Sequence, residues 1–210
     1  MTVVILANEE LKQELLAQGS QSSVTLHWID HIEQFHHYPD VAAFIDLLFT
    51  WEEERLAILK KLPVRPIIIT STNNNLPDLP GHFVSINGWP TFLKRPIVEA
   101  YANDEEIKDS TSVVFSFFNK TIIWTSRVGA FPTARVVAMI INEAYFTLEE
   151  KVSTKEEIDI AMKLGTNYPY GPFEWSEKIG LPKIASLLDS LAKEKKLYAP
   201  APLLKMEAAQ

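Results

Sequence analysis

What most restricts the fold is the way short apolar runs and longer amphipathic runs take turns through the first half of the chain. "TVVIL" (2–6) predicts a buried strand, "NEELKQELLAQG" (8–19) a helix ending at Gly19, and "SVTLHWID" (23–30) a second strand. "VAAFIDLLF" leads into "TWEEERLAILKKL", a helix with Thr50 as its cap, and "RPIIIT" follows as another strand. Further strands are expected at 82–87, 96–101 and 120–126. Strands interleaved with helices pair most readily in parallel, each helix carrying the chain back across the sheet. The first half therefore predicts an α/β unit with a parallel sheet.

The pattern changes near residues 120–130, which places a domain boundary there and divides the chain into 1–126 and 127–210. Pro132 suits a helix start, and Val136, Ile140, Ala144 and Leu148 recur every four residues beside Val137, Ile141 and Tyr145. So wide an apolar face predicts burial on two sides. "VSTKEEIDIAMKLG" carries a capping-box pattern at Ser153 and Thr154 with Glu156 and Glu157, and Gly165 as its stop. A last long helix is expected in "PKIASLLDSLAKEKK", then a proline-broken tail, so the second half reads as all-α.

Charge and composition exclude several classes. A formal net charge of −7 argues against nucleic acid, because phosphate binding requires clustered Lys and Arg. No apolar run approaches the ~20 residues that span a bilayer, and "MTVVILANEELKQ" turns acidic where a signal peptide stays apolar, so no membrane is expected. With no cysteine there are no disulfides or thiolate ligands, and the cytoplasm is the default compartment. The histidine-rich "HIEQFHHYPD" reads as a polar connection, with no metal site.

"INEAYFTLEEKVSTKEEIDIAMKLGTNYPYGPFEWSEKIGL" followed by "YAPAPLLKMEAAQ" resembles the helical C-terminal domain of the 3-hydroxyacyl-CoA dehydrogenases, including that family's "YPxGPFE" segment. "AAFIDLLFTWEEERLAILKKL" and "IIITSTNNNLP" are more faintly similar to the family's stretch leading to "SNTSSL". The resemblance implies a shortened Rossmann-like domain followed by a helical domain that makes a homodimer. It also implies an acyl-CoA substrate and NAD as the cofactor of an active enzyme.

A dinucleotide site needs glycine in the turn after the first strand, so that the backbone can approach the pyrophosphate at the helix start. Here that turn reads "ILANEELK", without glycine and with Glu9 and Glu10 in its place, so no cofactor is expected. Asp30, ending the second strand, stands where dinucleotide sites place an acid for the ribose hydroxyls; the commoner use of such an Asp is to cap a turn. The family's catalysis rests on a His base with a Glu twelve residues later. Glu99 matches the Glu, and the His position is Asn87, which cannot hold a proton near neutral pH. His82, five residues earlier, falls on the opposite face of a strand.

Two substrate-contacting positions implied by the family fall on Asn74, for a serine, and Ala134, for an asparagine, while Arg135 is kept. Only "HIEQFHHYPDV" stands where the family carries a long helical arm that helps cover CoA. Three readings follow. One is a dimeric relative without hydride transfer, acting as a regulator or in assembly with an active partner. The second is a working NAD-dependent dehydrogenase with an atypical site, and the third a non-catalytic binder of acyl-CoA or another small molecule, using "STNNNLPD" and "NGWPTF".

Overall fold

The computed structural model describes residues 1–72, 79–126 and 130–210, and the chain separates into two compact units, Met1–Phe131 and Pro132–Gln210. The first contains β1 (Thr2–Leu6), α1 (Glu9–Leu16), β2 (Thr25–Ile29), a 3-10 turn (Ile32–His37), β3 (Ala43–Asp46), α2 (Glu53–Leu59) and β4 (Ile67–Thr70). It continues with β5 (Phe83–Ile86), β6 (Ile97–Tyr101), α3 (Glu105–Ser116) and β7 (Thr121–Trp124). The seven strands form one sheet in the order β2-β1-β3-β4-β5-β6-β7.

Strands β1 to β5 are parallel, as expected, whereas β6 runs antiparallel to β5 and β7 lies parallel to β6. The departure has a simple cause. A parallel crossover usually needs a helix, and the segment 87–96 between β5 and β6 holds none, so the chain turns back beside itself. Helix α3, which the sequence reading did not anticipate, restores the crossover between β6 and β7. Its start is marked by Asp104, whose carboxylate accepts the Ile107 N–H at 3.1 Å, and by Glu105 and Glu106 in the first turn.

Both sheet faces are covered over the central strands. Val3, Ile5, Ala43, Ile45, Ile68 and Val84 pack on one side with Leu15, Phe115 and Phe118. Val4, Leu6, Phe44, Ile67 and Ile69 pack on the other with Phe35, Leu59 and Leu62. Two-sided burial explains why these strands are continuous apolar runs rather than alternating ones. The "HIEQFHHYPD" connection contributes Phe35 to that core. Thr50 does not cap α2; Glu52 occupies the cap position without a side-chain bond.

The second unit is all-helical: α4 (Pro132–Glu149), α5 (Lys155–Thr166), α6 (Pro172–Ile179), α7 (Leu181–Ala192), a 3-10 turn (Lys196–Tyr198) and α8 (Pro202–Ala208). The capping box at α5 forms: the Thr154 hydroxyl accepts the Glu157 N–H at 3.3 Å, and the Glu157 carboxylate accepts the Thr154 N–H at 3.1 Å. Gly165 lies inside α5, and the stop is Asn167 in the left-handed region (φ 56°, ψ 33°). Burial of α4 on two sides is not observed. Val137, Ile141, Ala144 and Tyr145 are buried, while Val136 is 56% exposed.

The "YPYGPFEW" stretch opens α6. Asp159, buried on α5, accepts the Phe173 N–H at 2.8 Å and the Glu174 N–H at 3.1 Å, so one helix caps the next. A Cβ on Gly171 would lie 2.2 Å from the Asp159 carboxyl carbon, which is why glycine stands there. Pro172 begins the helix, Phe173 and Trp175 are buried, and the Tyr168 ring lies 5.5 Å from that of Trp175. The tail is tied back by Asn142, whose amide donates to Ala199 O at 3.0 Å and accepts from Ala201 N–H at 2.8 Å. Among the described residues no helix is long and apolar enough to cross a membrane.

Candidate functional site

The antiparallel turn-back between β5 and β6 builds the candidate site. Ser85 pairs with Tyr101 and Ile86 with Ala100, so the ladder sets Asn87 opposite Glu99. Asn87 N–H donates to Glu99 O at 3.0 Å, and the side chains meet as well: Asn87 Nδ2 donates to Glu99 Oε2 at 3.0 Å. Both residues are buried. Trp89 N–H donates to Asn87 Oδ1 at 3.3 Å, which fixes which end of the amide faces the carboxylate. Gly88 follows because a Cβ there would overlap the Thr70 side chain at 2.1 Å.

Chemically, this pair reproduces half of a base and carboxylate couple. The amide supplies a hydrogen-bond donor to Glu99, as an imidazole N–H would, and has no nitrogen basic enough to take a proton near neutral pH. The Ser85 hydroxyl, two residues back and therefore on the same sheet face, is fully buried with no hydrogen-bond partner among the described residues. His82 precedes β5, is only partly buried, and packs its ring 5.2 Å from Phe83, with burial lowering its pKa.

At the opposite end of the strand order, β1 lies between β2 and β3, which makes its carboxyl end the point where the chain switches sides of the sheet. Open α/β sheets bind ligands at such points. The turn is closed by its own side chain: Asn8 Oδ1 accepts the Leu11 N–H at 2.9 Å, and Glu9 and Glu10 fill the first turn of α1. Those acids satisfy the positive helix end and repel a pyrophosphate. Nearby, at the end of β3, buried Asp46 binds Arg55 through two bonds of 2.7 and 2.6 Å, so that guanidinium is committed to a carboxylate. Burial raises the Asp46 pKa, with Arg55 opposing. These residues do not fit a nicotinamide dinucleotide.

Asp30 follows β2 and is exposed; its N–H donates to Gln34 Oε1 at 2.9 Å, so the backbone there joins a local turn. Asn87 sits at the end of β5, three strand intervals or ~14 Å from β1. Glu99 and Asn87 are thus brought together, and Asp30 is set apart from them on the far side of β1. Asn74 lies outside the described residues. In the second unit Ala134 is fully buried, and the Arg135 guanidinium lies 4.5 Å from the Tyr198 ring centre. Among the described residues no cluster of three or more His, Asp or Glu is arranged to hold a metal ion.

Comparison with known proteins accords with this architecture. Residues 131–209 match the family model described as the 3-hydroxyacyl-CoA dehydrogenase C-terminal domain. The chain is 45% identical over 76 residues to 3-hydroxyadipyl-CoA dehydrogenase of Escherichia coli (strain K12), covering 35% of this chain and 16% of that protein's length. It is 34% identical over 211 residues to a probable 3-hydroxyacyl-CoA dehydrogenase of Caenorhabditis elegans, covering 89% of this chain and 67% of that one. The crystal structure of (S)-3-hydroxybutyryl-CoA dehydrogenase from Ralstonia eutropha superposes with a TM-score of 0.76 at 16% identity, covering 99% of this chain and 93% of that one, a likeness of fold. Taken with the sheet, the helical unit and the Asn87 and Glu99 pair, these matches show that the chain belongs to the 3-hydroxyacyl-CoA dehydrogenase family.

Proposed function

We propose that this chain is a non-catalytic member of its family, a dimeric scaffold or regulator that does not transfer hydride. The observation that carries the reading is the buried Asn87 to Glu99 contact at 3.0 Å, in which an amide replaces the proton-accepting group. The acidic first turn of α1 supports it independently, because it removes the site for the hydride carrier. The chain keeps what folding requires of the family and lacks what the reaction requires.

Assembly through the second unit is part of the proposal. A groove of about 420 Å³ runs along α4, walled by Val136, Met139, Ile140 and Leu197, and Val136 and Leu197 are largely exposed. Arg135 and Glu143 also line it, four residues either side of Met139. Two copies crossing antiparallel at Met139 would set each Arg135 against Glu143 of the other copy. That self-complementarity supports a second copy of this chain as the occupant of the groove.

A second reading, a binder of a neutral or acyl-CoA ligand, is favoured by one observation: the Ser85 hydroxyl is buried without a partner on the face shared with Asn87. One panel separates the readings. Calorimetry and thermal shift with NAD, NADH, CoA and acetoacetyl-CoA are expected to give no nucleotide binding, and the coupled assay no turnover of acetoacetyl-CoA with NADH. Saturable heat with acetoacetyl-CoA alone selects the binder. NADH binding, or turnover approaching an ordinary ~10 per second, refutes the non-catalytic proposal.

A further inference from the structure

Two buried charges outside the candidate site converge on the segment that joins Asn87 to Glu99. Glu14, on α1, is 1% exposed, and Lys120, just before β7, is 3% exposed. Neither forms a direct ion pair among the described residues; both bond to main chain of the segment 88–95. Glu14 Oε1 accepts the Thr91 N–H at 2.6 Å. Lys120 Nζ donates to Leu93 O at 2.5 Å and to Arg95 O at 2.9 Å. Thr91 is held at φ 78°, a conformation that a β-branched residue adopts only under constraint.

We propose that Glu14 and Lys120 are positioning residues, a pair of buried charges that clamp the segment 88–95 and thereby hold Asn87 and Glu99 in contact. The segment carries no helix, follows Asn87 directly and leads into the strand that holds Glu99; besides the two charges it is anchored by the buried Trp89, Phe92 and Leu93 and by Gln18, whose amide donates to Lys94 O at 2.8 Å. A charged side chain is costly to bury, and hydrogen bonds to charged groups are stronger than neutral ones, so such a clamp responds to protonation. Trp89 and Phe92, both buried, report on it from within the segment.

The surrounding charges set the sense of the response. Burial lowers Lys120 to about 8, and Glu14 opposes that shift. Burial raises Glu14, with Lys94 opposing and Glu10 reinforcing. Arg95, whose carbonyl Lys120 holds, has its guanidinium near Glu99. A lysine released to solvent regains an ordinary pKa near ~10.4. The closed clamp therefore binds fewer protons than the open one between about 8 and that value. As pH falls through this window, opening becomes easier by up to tenfold per pH unit, and below about 8 it levels off.

The test uses the full chain labelled with 5-fluorotryptophan, the Trp89 resonance being assigned with Trp89→Phe. That resonance is expected to titrate with a midpoint near 8 in the wild type and to be flat over the same range in Lys120→Met. Hydrogen exchange is read in parallel: Lys120→Met and Glu14→Ala should speed exchange of the Thr91 and Leu93 amides at least tenfold with the amides of β1 unchanged. Glu14→Gln keeps the acceptor and should restore protection. A Trp89 signal that does not move with pH in the wild type, or that titrates identically in Lys120→Met, overturns the proposal. So does exchange that rises equally in β1. If Lys120→Met does not fold, the wild-type titration decides alone.

Discussion

Asn87 is the residue on which the proposed loss of the reaction rests. Its Nδ2 donates to the buried Glu99 carboxylate at 3.0 Å, so side chains as well as main chain tie the strand pair together there. On the proposed function, Asn87→His should fold and still fail to reduce acetoacetyl-CoA, since the acidic first turn at Glu9 and Glu10 opposes a pyrophosphate; NADH oxidation measured at high enzyme concentration checks this. The positions of Asn87 and Glu99 were picked out through the resemblance to the family's His and Glu motif. Their hydrogen bond, and the roles of Glu14 and Lys120, were not legible in the sequence, because partners 77 and 27 residues away in sequence meet only through tertiary folding. Tyr145 is a second such case. Burial first, and then its bond to Glu207 at 2.8 Å, raise its pKa above the ordinary tyrosine value. A phenol with a raised folded pKa contributes stability that is complete below ~10 and is lost as pH rises through the folded value. Thermal melts should show an alkaline decline above that pH that is weaker in Tyr145→Phe.

At the scale of elements, the helices of the second unit are joined by side chains acting as caps. Asp159 to Ala removes two bonds to the first turn of α6 and should cost ~1–2 kcal/mol in urea unfolding. Gly171 to Ala forces a methyl group against Asp159 at 2.2 Å and should cost ~1–3 kcal/mol. The "YPxGPFE" resemblance located this joint, and the structure supplies its reason: a buried carboxylate beside a residue that must lack a side chain. Helix α5 was legible from its capping box, since that signature is local. Its end was misread because Asn167, rather than Gly165, takes the left-handed turn, a choice that both residue types permit. The reversal of β6 was hidden for a different reason. Strand direction depends on how the 87–96 connection packs, which periodicity does not record.

For the whole molecule the open question of assembly turns on α4. Val136 to Glu would place an unpaired charge in the proposed self-contact, at a cost of ~3 kcal/mol or more, and should convert a dimer in light scattering to a monomer with the helical content unchanged. A wild-type protein that is already monomeric and well folded at the same concentration refutes the assembly. By itself the sequence determined the alternation of strands and helices in the first half, α3 apart, and the all-helical second half, because periodicity and caps are written along the chain; positions 87 and 99 came from the family resemblance. Only the tertiary structure decided the direction of β6 and β7, the exposure of Val136 and the burial of Glu14, Lys120, Asp46 and Asp159. Those depend on which surfaces meet, and the free energy of burying a group is a property of its surroundings rather than of its neighbours in sequence.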